Sequence, residues 1–64
     1  MQKQELKNTF IDTLERERTI RGWTQWEMAE KLEMSVPGYR KMVSGMTDSI
    51  ALYTAYRASV VLNI

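Results

Sequence analysis

Cysteine and histidine, which carry much of the chemistry of active sites, do not occur in this 64-residue chain. The usual zinc ligand sets therefore cannot be assembled. A Ser-His or Cys-His nucleophile pair is excluded with them, and no disulfide can form. The carboxylates are the only acid–base candidates, and they fall on what read as exposed helical faces with no cleft between them. An enzyme is not expected, and neither is a metal or a cofactor. What remains is the holding of anions. Arg40 and Lys41 are adjacent, and between Met34 and Thr47 they are the only charged residues. The segment before them carries Glu27, Glu30 and Glu33. The net charge of +1 is too small to argue for a nucleic-acid partner by itself; the segregation of charge by element is the informative feature.

The elements that must position these residues all read as helices. A first helix runs from about Lys3 to Ile20, with Leu6, Phe10 and Leu14 at spacings of four and Ile11 widening that stripe. Gly22, just past the cationic Arg21, marks its end. Thr24 followed by Glu27 three residues later reads as a capping box, with Trp23 and Met28 as a hydrophobic staple around it. The second helix then covers about 25–32 and buries Met28, Ala29 and Leu32. Ser35 caps a third helix over about 36–44, which faces Tyr39, Met42 and Val43 inward and ends at Gly45. Pro37 disfavours helical backbone at Val36 and so offers itself as the true helix start. Thr47 or Asp48 is expected to cap a fourth helix whose core face is Leu52, Ala55, Tyr56, Ser59 and Leu62, with Asn63 ending it in the left-handed conformation. Arg18 is expected to pair with Glu27. The fold class is all-α, a single domain over 1–64. The N-terminus has no apolar run after its basic residue and no segment approaches a membrane span, so the expected location is cytoplasmic.

The stretch Gly22-Trp23-Thr24-Gln25-Trp26-Glu27-Met28-Ala29 through Ser35 to Ser44-Gly45 resembles the helix-turn-helix family of Cro and lambda-type repressors (XRE-like). The shared pattern is Gly, apolar, Ser or Thr, Gln, two variable positions, apolar, Ala, then a short turn ending in Ser. The resemblance covers nearly the whole chain; Arg18 matches a frequent first-helix arginine and Leu62-Asn63-Ile64 the usual end of the fourth helix. It implies a four-helix, truncated five-helix, lambda-repressor-like domain whose third helix enters the major groove of duplex DNA. Thr24 and Gln25 would then meet phosphate at a helix N-terminus, and Ser35 would act first as a cap and second as a phosphate donor. Val36, Pro37, Gly38, Arg40 and Lys41 lie where base edges are reached, and Ser44 and Thr47 flank a loop whose amides meet backbone phosphate.

Three positions depart from the pattern. Glu33 stands where a Gly is frequent in the turn, and a positive φ there would cost about 1 kcal/mol. Val43 and Ser44 replace a frequent Glu and Asn. The Val36-Pro37-Gly38 reading positions lack the side chains that make bidentate base contacts, which leaves Val36 for a thymine methyl and Arg40 for guanine; shape readout or a second partner would supply the rest.

Tyr53, Val60 and Ile64, with Val61 beside them, form a second apolar stripe on the fourth helix. A monomer of this size has no core to bury both stripes, so this one is expected to form a homodimer interface. Two-fold symmetry would set two reading helices about one DNA turn (roughly 34 Å) apart. Trp23 is expected in the core. Trp26 has three open readings: covering the core edge, touching the DNA backbone, or meeting a partner. The leading functional expectation is a sequence-specific transcription regulator, a repressor of phage or mobile-element type. The alternative is a protein-interaction module on the same fold, antitoxin-like or regulator-sequestering.

Overall fold

In the computed structural model, which describes residues 3–46 and 50–63, the chain forms four helices, α1 (Lys3–Ile20), α2 (Gln25–Lys31), α3 (Val36–Val43) and α4 (Leu52–Leu62). No strand occurs among the described residues. α2 and α3 pack together most closely, α1 lies against α3, and α4 is the most loosely attached. The core is Leu14 of α1, Met28, Ala29 and Leu32 from α2 and its C-cap, Tyr39 and Met42 of α3, and Ala58 and Leu62 of α4. Ala29 is buried, as a close helix–helix approach requires of a small residue. Trp23 is partly buried against this core, with the Lys31 ammonium 4.5 Å above its ring.

Local chemistry explains the helix limits. At Thr24 the capping box is complete: Thr24 Oγ1 accepts from the Glu27 N–H (3.0 Å), and the Glu27 carboxylate accepts from the Thr24 N–H (2.9 Å). Ser35 Oγ accepts from the Gly38 N–H (3.1 Å). α3 begins at Val36 rather than at Pro37, because Pro37 occupies a first-turn position where a missing N–H loses no bond. Three helices end alike, with a left-handed residue one past the cap and a doubled return of N–H groups to the last turn: Gly22 after α1, Glu33 after α2 and Gly45 after α3.

Glu33 keeps a φ of 61° without being a glycine. Its carboxylate accepts a hydrogen bond from the Tyr53 hydroxyl and lies 3.7 Å from Arg57 Nε, both on α4. Arg57 also donates to the Lys31 carbonyl at the end of α2 (2.9 Å). A glycine would relieve the backbone but could not reach α4.

Two expected faces are rotated. On α1, Leu14 and Ile11 are buried, Phe10 is half-buried, Leu6 is exposed, and Lys7 is buried instead, as a lysine can be when its methylene stem covers apolar surface. On α4 the buried line is Thr54, Ala58 and Leu62, whereas Leu52 and Tyr56 point outward. The Thr47 or Asp48 cap expected for this helix lies outside the described residues; α4 starts later, with Ala51 at its N-cap and no side-chain capping bond. Asn63 ends it at φ 59°, as expected.

Candidate nucleic-acid interface

Most cations among the described residues are committed to intramolecular partners. Arg16 and Arg21 pair with Glu17, Arg18 with Glu15, and Arg57 with Glu33. Lys31 sits over Trp23 and Lys7 is buried. Arg40 and Lys41 are exposed, and among the described residues neither forms an ion pair. Both project from α3, which carries no acid.

The other expected contact residues are more constrained. The Thr24 and Ser35 hydroxyl oxygens already accept cap bonds. The box also places the Glu27 carboxylate at the N-terminus of α2, and hydrogen bonds from Thr24 hold its pKa below the ordinary carboxylate value. An anion at that end is left the N–H groups of Gln25 and Trp26, which have no acceptor within the helix. The N-terminus of α3 is poorer still, because Pro37 has no N–H and the Gly38 N–H is bonded to Ser35. Val36 is half-buried and packs partly against the core. Pro37 is exposed and Gly38 is half-buried; a Cβ on Gly38 would lie 2.9 Å from Ser35 Oγ. The Ser44 hydroxyl donates to the Lys41 carbonyl (2.8 Å), and of the loop amides expected to meet phosphate, those of Ser44, Gly45 and Met46 bond back to the Arg40, Met42 and Lys41 carbonyls of α3. Thr47 lies outside the described residues.

A carboxylate on α1 that motif reasoning passed over organises this face. Glu15 accepts from Arg18 Nε (2.8 Å) and Nη2 (3.2 Å), from Gln25 Nε2 (3.2 Å) and from the Tyr39 hydroxyl (2.6 Å). Arg18 also donates to the Trp23 carbonyl (2.7 Å). Arg18 thus pairs with Glu15 and not with Glu27, because Glu27 is consumed by the capping box. The i,i+3 spacing of Glu15 and Arg18 was a readable signal; the reach of Tyr39, 24 residues on, was not. The Arg18 hydrogen bonds hold the Glu15 carboxyl below its ordinary pKa, against the opposing effect of burial. Burial and the neighbouring Glu15 push the Tyr39 phenol well above its ordinary value.

Of the residues expected at a dimer interface, Val60 is exposed, and Tyr53 has an exposed ring with its hydroxyl bonded to Glu33. Val61 is partly buried against the core. Ile64 lies outside the described residues. The exposed apolar face of α4 is instead Leu52, Tyr53, Tyr56 and Val60. Trp26 is exposed on α2 and lines a shallow surface hollow with Glu27, Glu30 and Lys31. No helix among the described residues is long and apolar enough to cross a membrane. Comparison with protein-family models, curated proteins and solved structures returns no match for this chain.

Proposed function

We propose that this chain is a sequence-specific double-stranded-DNA-binding transcription regulator of the helix-turn-helix type, acting as a repressor by occupying its site. The observation that carries the reading is that Arg40 and Lys41, exposed and unpaired among the described residues, both lie on one acid-free helix. Arg40 offers the bidentate fork that suits guanine, and Lys41 suits phosphate. The four-residue connection from Leu32 to Ser35 and the close packing of α2 on α3 suit a pair in which one helix supports the other.

The operator-binding form is a homodimer over the exposed face of α4. Leu52, Tyr53, Tyr56 and Val60 are 87, 56, 59 and 49% exposed. They present on the order of 450 Å², so a symmetric pair would bury about 900 Å², the low end for specific association. Its four side chains are uncharged, and the Glu33 carboxylate at the Tyr53 hydroxyl is paired with Arg57.

The deciding experiment selects from a random duplex pool at moderate salt with the wild-type chain and with Arg40→Glu/Lys41→Glu. An inverted repeat is expected for the wild type, and loss of retention with unchanged helical circular dichroism for the double variant. Retention by the double variant would overturn the placement of α3. No enrichment by the wild type would favour the protein-interaction reading, which the scarcity of base-reading groups at Pro37 and Gly38 supports.

A further inference from the structure

Glu15 is remote in sequence from every residue proposed to touch DNA, yet its carboxylate joins three segments of that face. Gln25 opens α2, Tyr39 is one turn into α3, and Arg18 holds the Trp23 carbonyl in the connection before α2. The Glu15 side chain is 29% exposed, half-sheltered between the helices. Tyr39 is fully buried, and Arg40 follows it directly, so the bond that fixes the Tyr39 ring also fixes the roll of α3 and the direction in which Arg40 leaves it. Gln25 gives one amide proton to Glu15, which restrains a long flexible side chain and leaves its second N–H available.

We infer that Glu15 is a positioning residue for DNA binding, which presents the Gln25 amide to a phosphate and sets α3 against it. The inference rests on the proposed function. An ionised carboxylate has lone pairs on both oxygens to accept from all of these donors at once. A neutral amide at this position would meet Arg18 and Gln25 with a donor of its own.

The test is a double-variant cycle with Glu15→Gln and Gln25→Ala on a duplex selected by the wild-type chain, at a temperature where circular dichroism shows each variant folded. Glu15→Gln is expected to weaken binding about tenfold at fixed salt and to leave the slope of affinity against salt nearly unchanged, because the Gln25 amide is uncharged. Adding Gln25→Ala should then cost little more. A purely structural role would lower stability and leave the affinity of the folded protein unchanged. Wild-type affinity in Glu15→Gln, or losses that multiply across the pair, would overturn the inference while leaving DNA binding intact. Failure of the wild-type chain to bind any duplex would overturn both. A second readout needs no variant: the Gln25 side-chain amide resonances of the wild type should shift as Glu15 is protonated in acid, and resonances that stay fixed would remove the contact on which the inference stands.

Discussion

Tyr39 and Glu15 give a single hydrogen bond two opposite pH dependences. The Glu15 carboxyl is held below its ordinary pKa, chiefly by Arg18. Its contribution to stability is therefore full above about pH 4.3, the ordinary glutamate value, and is lost as pH falls through the lowered one. The Tyr39 phenol is raised, chiefly by burial. Its contribution is full below about pH 10 and is lost as pH rises from there. Urea unfolding across pH should show a plateau that falls at both ends, and Tyr39→Phe should flatten the alkaline fall. At neutral pH that variant should lose about 1–2 kcal/mol, because a sheltered charged acceptor loses a donor; an unchanged midpoint would refute the assignment. Sequence reasoning reached the burial of Tyr39 through helical periodicity, but not its hydroxyl's partner. Periodicity reports which face turns inward and says nothing of what a polar atom meets across the core.

At the scale of elements, the turn between α2 and α3 shows how a strained residue is kept. The left-handed Glu33 costs about 1 kcal/mol relative to glycine, and its carboxylate faces Tyr53 and Arg57 on α4. Glu33→Gly removes strain and contacts together and should change stability by less than about 1 kcal/mol. Glu33→Ala keeps the strain, loses the contacts and should be about 1 kcal/mol less stable than the glycine variant. Thermal unfolding of the three proteins side by side checks the order; an alanine variant as stable as the glycine one would show that the turn is unstrained. Helix ends were the most legible part of the sequence, because Thr24, Ser35, Gly22, Gly45 and Asn63 act through their own backbone neighbours. The start and inward face of α4 were not. Its sequence is apolar on several sides, so periodicity could not choose among them, and the choice fell to the space left by the other helices. For the candidate site, Arg40 and Lys41 were legible from local charge. The partial burial of Val36 was not, since it depends on contacts that appear only when the helices are assembled, whereas the bond from Ser44 to the Lys41 carbonyl is local.

For the molecule as a whole, the exposed face of α4 leads to a prediction about association. Sedimentation should detect self-association that Tyr56→Glu, at an exposed position, abolishes while helicity is retained. A wild-type chain that remains monomeric at high concentration would remove the dimer and leave the partner of this face to be another protein. The attachment of α4 has a further consequence. This helix is held by three small or medium buried side chains, Thr54, Ala58 and Leu62, and by a few polar bonds: Tyr53 and Arg57 to Glu33, Arg57 to the Lys31 carbonyl, and the Arg21 guanidinium to the Leu62 carbonyl (3.3 Å). An element fastened this way detaches before the body formed by α1, α2 and α3 loosens. Hydrogen–deuterium exchange should then run faster at the amides of α4 than at those of Tyr39 to Met42, and raising the protein concentration should slow it in α4 alone, as pairing closes the route by which that helix opens.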